Sequence, residues 1–511
     1  MVSRIQSIGL FGMDAYMVEC EADVSGGMQA FDIVGLPDSA IRESRDRVRS
    51  AIKNCGYKYP TGHITVNLAP ADIRKEGSVY DLPVLLALLI SNKQITPAAD
   101  LSDSIFVGEV SLDGKLRPIN GVLAMAISAV QKGIRKFFVP YENAAEGSVV
   151  DGLEVYPVRT VQEVIDHIIG FTPIKAAEKY SAERVEGVEG ILDFSDVRGQ
   201  AAAKKALEIA AAGGHNILML GSPGSGKSML AKRLPTILPE MTFEESIETT
   251  KIYSIAGELE PQSPLIRERP FRSPHHTVSS RGLSGGGSIP RPGEISLAHN
   301  GVLFLDELPE FSRDVMETLR QPLEDGKVTI SRVAGSLTYP SEFTLVAAMN
   351  PCPCGFFGHP TRKCTCTPNS VSKYLGRISG PMLDRLDLHI EVPPVDYESL
   401  KSNALEETSE QVRARVNRAR EIQVKRYKGT GITCNARLTP AMLRQYCVMS
   451  EDAEKMLKAS FDRLGLSARA YDRILKVSRT IADLEGKELI EVAHIAQAIH
   501  FRSLDRKYWG E

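Results

Sequence analysis

Eight residues near the middle of the chain, Gly221-Ser222-Pro223-Gly224-Ser225-Gly226-Lys227-Ser228, restrict the possible folds more than any other part of it. Their spacing, G-x-x-x-x-G-K-S, is that of a loop that wraps a phosphate chain, and such a loop works only between a strand and a helix. The flanks meet that condition. Asn216-Ile217-Leu218-Met219-Leu220 reads as a short buried strand, and Met229-Leu230-Ala231-Lys232-Arg233-Leu234 as the first turns of a helix. In this setting the glycines let successive backbone N–H groups turn inward on a phosphate, and the helix N-terminus adds partial positive charge. Lys227 would reach the β- and γ-phosphates, and the Ser228 hydroxyl would take one coordination position on Mg²⁺. The expected ligands are ATP and Mg²⁺.

At 511 residues the chain is too long for one core and is expected to divide into about three domains. Its 43 % hydrophobic and 24 % charged residues are those of an ordinary globular protein. No run of about 18 apolar residues occurs, so no membrane partner is expected. The start, Met1-Val2-Ser3-Arg4-Ile5, lacks the apolar core of a secretory signal, and a cytoplasmic location is expected. A net charge of −3 gives no global attraction to nucleic acid, so any such binding must come from local basic surfaces. Cys20, Cys55, Cys434 and Cys447 are isolated, as reduced structural thiols would be.

The first part, residues 1–171, alternates strand-like and helix-like stretches. Ile64-Thr65-Val66-Asn67-Leu68 and Ser104-Ile105-Phe106-Val107 read as strands, and Pro83 to Ile90 as a buried helix. Val107 to Gly121 reads as a hairpin with its turn at Asp113-Gly114. With Lys75-Glu76-Gly77-Ser78-Val79-Tyr80-Asp81-Leu82 between them, these segments resemble the peptidase-like domain of the Lon family, an α+β domain of the ribosomal S5 domain 2 type. The resemblance fails at the chemistry. The nucleophilic serine of that family falls at about Val79 and its lysine at Leu123, while Ser78 is one residue out of place. A serine without an adjacent base is a poor nucleophile, so a non-catalytic domain used for assembly or partner binding is expected. Arg42 to Lys53 reads as a helix whose arginines, interleaved with acids, form a solvated face. Residues 172–190 read as a linker.

Residues 191–395 carry the rest of the nucleotide site. Gly301-Val302-Leu303-Phe304-Leu305-Asp306-Glu307 suits a parallel strand buried on both faces, with its acids at the carboxyl end where α/β sheets place ligands. Asp306 would hold Mg²⁺, and Glu307 would orient and polarise the attacking water. A further strand, Phe343 to Met349, ends in Asn350. The opening Asp193 to Gln200, the phosphate loop and these strands resemble AAA+ ATPases, an α/β fold with a helical lid, here residues 396–511. The resemblance implies that Asn350 is the polar sensor of the γ-phosphate. It also implies that Arg385 is a finger entering the neighbouring subunit's site, and that Arg469, with Arg473 in reserve, is the second sensor.

Between the phosphate loop and Asp306 lies a long insertion, about 250–292, containing Arg267, Arg269, Arg272, His275, His276 and Arg281. This insertion, the Pro292 to His299 run-in and the late helical region resemble the magnesium-chelatase branch of AAA+ proteins. Across all three domains the chain resembles the bacterial ComM/YifB group. That implies a hexameric DNA motor, a helicase that migrates branches during recombination of transforming DNA, with single-stranded or branched DNA as partner. A chelatase-like or protein-remodelling ATPase without DNA activity is the alternative. The six insertion residues are the expected DNA contacts, whereas the basic residues between Arg413 and Lys428 read at least as well as a solvated helix face.

Cys352-Pro353-Cys354-Gly355 and Cys364-Thr365-Cys366 give C-x-C, nine residues, C-x-C. Two close pairs of soft ligands can wrap one tetrahedral Zn²⁺, with His359 as a weaker substitute ligand. Redox-active thiols or plain loop cysteines are the other readings of the same pattern.

Overall fold

The computed structural model describes residues 2–180, 192–261, 263–287, 290–332, 335–395, 401 and 406–509. The second part of the expected linker, three insertion positions and most of residues 396–405 lie outside that set. Strands β1 (Ser3–Phe11), β2 (Asp14–Ser25), β3 (Ala30–Val34), β4 (His63–Ala69), β5 (Ser104–Phe106), β6 (Lys136–Pro140) and β7 (Glu154–Val158) form one mixed sheet in the order β3-β4-β2-β1-β5-β6-β7. Helices α1 (Ser39–Asn54), α2 (Asp81–Ser91) and α3 (Val122–Gln131) accompany it. The near-continuous apolar run of α2 is explained by its place: almost every residue in it is buried. On α1, Ile41, Val48, Ala51 and Ile52 share the buried side and leave most of the arginines outward. The hairpin with its turn at Asp113-Gly114 is present, pairing Glu109 with Arg117.

Val79 and Leu123 are both buried, and the Ser78 hydroxyl donates to Glu109. Leu123 has a different use. It packs with Val149 and Leu265 where this part of the chain meets the next. Beside it, the Gly121 N–H donates to Ser254 Oγ at 2.8 Å, and the Ser254 hydroxyl donates to buried Glu146. The expected linker is at first no free tether, because Ala177 N–H donates to Val155 O at 2.7 Å and Tyr180 N–H to Ser148 O.

The second sheet is wholly parallel. Its strands are β8 (Ile217–Leu220), β9 (Phe271–Arg272), β10 (Val302–Leu305), β11 (Thr344–Met349) and β12 (Leu388–Glu391), in the order β9-β10-β11-β8-β12. Alternate residues serve two cores. Ile217, Met219, Val302, Phe304, Val346 and Ala348 face one, and Leu218, Leu220, Leu303, Leu305, Leu345 and Ala347 face the other. Burial on both sides is what the apolar runs announce, and each fully buried Leu or Phe contributes about 1.5–3 kcal/mol.

Helices α4 (Ala201–Gly213), α5 (Lys227–Ile237) and α6 (Phe243–Ala256) follow the chain through this region. Helices α7 (Ser409–Arg426), α8 (Glu451–Leu464), α9 (Ala468–Leu484) and α10 (Val492–His500) make the C-terminal part. They close over the first core through Val412, Val416, Leu457, Ile474, Ile481 and Ile495. The insertion is not a patternless loop: it supplies the edge strand β9 and a short helix at Ser280–Ser284.

Candidate functional site

The phosphate loop joins β8 to α5. Gly221 must be a glycine there, because a Cβ would lie 2.4 Å from the Val392 carbonyl oxygen. Lys227 Nζ donates to the carbonyls of Gly221 (2.8 Å) and Ser222 (3.0 Å) and to Asn350 Oδ1 (3.2 Å). Burial lowers the pKa of its ammonium, opposed by the carboxylates of Asp306 and Glu307. Ser228 Oγ donates to Asp306 Oδ2 at 2.7 Å. Because β8, β10 and β11 are parallel, their carboxyl ends bring Gly221, Asp306 and Asn350 to one edge of the sheet. The result is a cavity of about 340 Å³ lined by residues 223–229 with Asp306, Glu307, Met349 and Asn350. A hydroxyl and a carboxylate this close can share a divalent cation, while the lysine and the loop amides meet phosphate.

Glu307 sits in the left-handed backbone region, at φ 53°. Its side chain is 55 % exposed, and His276 Nδ1 lies 3.5 Å from Oε2. The topology explains this contact. Strand β9 runs parallel to β10, so the turn leaving β9 emerges on the same edge as Asp306 and Glu307. The His275 ring lies 4.1 Å from that of His276. The sequence places both histidines at a nucleic-acid surface, and their pattern carries no sign of the Glu307 contact. Gln200 is another residue whose role its sequence context does not signal: its side-chain amide donates to Pro393 O at 2.6 Å and to Ser225 O at 3.4 Å, bracing the loop from outside.

Of the expected DNA contacts, two arginines are used by the fold. Arg269 donates to the carbonyls of Pro239 and Asn300 and to Glu245, and only 14 % of its side chain is exposed. Arg272 is clamped bidentately by Glu294 (2.7 and 2.8 Å) and bonded to Glu258 at 3.0 Å. Both guanidiniums of that pair are thus paired inside the chain. Arg267 lies on the surface against the Tyr180 hydroxyl and ring. His275 and Arg281 are exposed. Arg415, Arg420 and Arg426 of α7 likewise turn to partners, namely Glu208 and Glu407, Ala211 O, and Asp483.

Arg385 and the two second-sensor candidates sit at the other end of the sheet. The Arg385 carbonyl accepts from Asn216 Nδ2 at 3.0 Å, and Asp387 N–H donates to Asn216 O at 2.8 Å. Asn216 precedes β8, roughly 16 Å from Gly221 at about 3.3 Å per strand residue. The Arg385 guanidinium is bound to the carbonyls of Arg320 and Pro381 and to Glu324. Arg469 lies 3.5 Å from Asp384, with most of its side chain exposed. Arg473 is tucked between Asp384 and Asp387. Both second-sensor candidates are thus placed at this end of the sheet, held by Asp384 and Asp387. All three arginines gather at that end, around the segment that carries Asp384 and Asp387. The same end holds a buried network that the sequence did not signal: His215 bridges Asp387 (3.1 Å) and Thr480 (2.7 Å), tying β8 to α9.

The four cysteines of the loop after β11 converge. All their Sγ atoms lie within 4.8 Å of one another, with 3.4 Å between Cys352 and Cys354, 3.7 Å between Cys352 and Cys364, and 3.6 Å between Cys354 and Cys364. Sulfurs at the corners of a zinc tetrahedron, about 2.3 Å from the metal, are about 3.8 Å apart, whereas a disulfide brings them to about 2.05 Å. Backbone N–H groups of Phe357 and Cys366 point at Cys352 and Cys364. Amides of Phe356 and Thr365 draw the pKa of the Cys354 thiol down to about 5. His359 is turned into its own loop, where its Nδ1 accepts from the N–H of Arg362 at 3.0 Å.

Comparison with known proteins gives the family. The family model described as "Magnesium chelatase, subunit ChlI" matches residues 193–400, "Subunit ChlI of Mg-chelatase" matches 20–143, and "Magnesium chelatase, subunit ChlI C-terminal" matches 406–502. Competence protein ComM of Haemophilus influenzae is 45 % identical over 506 residues, covering 98 % of this chain and 97 % of the relative. The uncharacterised protein YifB of Escherichia coli is 43 % identical over 512 residues, 99 % of this chain and 98 % of that protein. Lon protease 2 of Bacillus subtilis is 44 % identical over 150 residues, 28 % of this chain and 26 % of its own length.

Proposed function

The chain belongs to the ComM/YifB family of magnesium-chelatase-type AAA+ proteins, and from that premise we propose that it is a Mg²⁺-dependent ATPase, a hexameric ring that moves on single-stranded or branched DNA in the cytoplasm. The observation that carries the ATPase reading is the meeting of Lys227, Ser228, Asp306, Glu307 and Asn350 around one cavity. Mg²⁺ held by Ser228 and Asp306 would neutralise charge developing on the phosphates. Lys227 then leaves its loop carbonyls for the β- and γ-phosphates, and Asn350, already bonded to it, stays beside the terminal one. Glu307, exposed at the mouth, orients the attacking water and takes its proton. The patch of Arg385, Arg469 and Arg473 completes a neighbour's site, which is the reason for a ring. Four cysteinates fit one structural Zn²⁺, on donor chemistry and sulfur spacing alike. No peptidase activity is expected, since Val79 and Leu123 stand where a serine and a lysine are needed.

The DNA reading is supported by the competence name of the Haemophilus relative and by two exposed side chains, His275 on the turn that touches Glu307 and Arg281 on the short helix that follows. It is tested by ATPase rate with and without a four-way junction, and by junction resolution into duplexes. Stimulation by the junction, with resolution lost in Lys227→Ala, is the expected result. A rate indifferent to every DNA form moves the reading to a chelatase-like ATPase, favoured by the description that all three family matches carry. A tetrapyrrole effect on that rate is the measurement for it.

The His276 contact gives a second expectation. An imidazole beside Glu307 competes with water for the carboxylate until the turn engages a ligand. A partly exposed contact of this kind is worth at most about 1 kcal/mol, so His276→Ala should raise DNA-independent turnover by up to about fivefold and shrink the stimulation by DNA. Steady-state kcat and KM with and without junction check this; an unchanged stimulation ratio counts against it.

A further inference from the structure

The cysteine cluster touches the phosphate loop. Strand β11 ends at Met349, Asn350 bonds Lys227, and two residues later Cys352 is fully buried. The Cys352–Gly355 turn closes with Gly355 N–H donating to Cys352 O at 2.9 Å. Gly355 has φ +81° and lies flush on Pro223: a Cβ there would be 2.4 Å from the proline Cδ and 2.7 Å from Cγ. Pro223 is itself part of the cavity wall. Thus the turn that carries two of the four cysteines is the backing against which the phosphate loop rests.

We propose that the cluster is a metal-held plate for the phosphate loop, so that the shape of the loop, and with it nucleotide affinity, depends on a thiolate-bound divalent cation of zinc's class. The proposal rests on the zinc reading above and extends it to the nucleotide site. The physical reason is chain entropy. Nine residues separate the pair Cys352 and Cys354 from the pair Cys364 and Cys366, and a cation bound by both pairs closes that loop and fixes the turn between them. Without it, nothing covalent holds the Cys354-Gly355 backbone at contact distance from Pro223. The loop amides that must converge on phosphate are then less well placed before binding, and ordering them lowers affinity.

The full chain, purified in reducing buffer, is measured for zinc content and for binding of a fluorescent ATP analogue with Mg²⁺. Two variants act through different links. Cys364→Ser with Cys366→Ser removes half the ligands and changes no residue of the turn on Pro223. Gly355→Ala keeps all four ligands and presses a methyl group on that ring. The expected result is one zinc per chain in the parent, loss of zinc in the double cysteine variant, and binding at least about tenfold weaker in both variants. Zinc-free protein that binds the analogue as tightly as the parent overturns the coupling and leaves the zinc reading standing. No stoichiometric zinc in the parent overturns both. Should the double variant not fold, Gly355→Ala decides: full zinc with unchanged affinity overturns the proposal.

Discussion

Glu307→Gln is expected to lower ATP turnover by about 10²–10⁴-fold, the usual contribution of a positioned general base, while nucleotide binding is retained. The split follows from where the side chain sits. Among the described residues its carboxylate makes no hydrogen bond to the phosphate loop, acts on Lys227 only through its charge, and has His276 at 3.5 Å as its close partner. The amide has the same shape and leaves the backbone at φ 53° undisturbed, so neither the cavity nor the Ser228–Asp306 pair need change. What is lost is the ability to accept a proton from water. Asp306 contrasts with it: that carboxylate is tied to Ser228, and replacing it would remove a cation ligand and weaken binding itself. Phosphate release under saturating ATP, with analogue binding measured in parallel, separates the two. Turnover that falls less than about tenfold would assign the water to another group.

Parts of this site that depend on short stretches of chain are legible in the sequence. The phosphate loop, the acids after β10 and Asn350 after β11 are each signalled by a buried apolar run ending in the polar residue that works there. The cysteine quartet is legible for the same reason, since all four ligands lie in one loop. Long-range pairing is not. Arg269 and Arg272 look like free cations in an insertion, yet their carboxylates come from Glu245, Glu258 and Glu294 on neighbouring elements. Nor does the order of residues say at which end of a strand a guanidinium lies. Arg469 and Arg473 resemble a sensor, and only the folded chain shows Asp384 and Asp387 holding them at the amino end of the sheet. Leu123 shows the converse case: the lost catalytic position is legible, while its use in docking onto Leu265 emerges only from the folded chain.

Arg385→Ala should reduce ATP turnover by about 10³-fold or more, the range for removal of an arginine that stabilises charge on a transferred phosphoryl group, with nucleotide affinity unchanged. Because Arg385 is anchored near Asn216, roughly 16 Å along the strand direction from its own phosphate loop, the loss is expected at a site built by two subunits. Its internal bonds to Glu324 and to the Pro381 and Arg320 carbonyls hold the segment, and because the Arg385 side chain is only 10 % exposed their loss also costs stability, which thermal unfolding of the variant reads. A fold effect and a catalytic effect can therefore be told apart by mixing. Arg385→Ala chains keep an intact phosphate loop, and Lys227→Ala chains keep an intact arginine. Each alone should be inactive, yet in randomly mixed rings roughly a quarter of the interfaces join the good loop of one to the good arginine of the other. Activity recovered on mixing, and only when subunits can exchange, would place Arg385 in its neighbour's site. A mixture as inactive as its components would mean that Arg385 serves its own chain, and the reason for a ring would have to be sought in Arg469 and Arg473 instead.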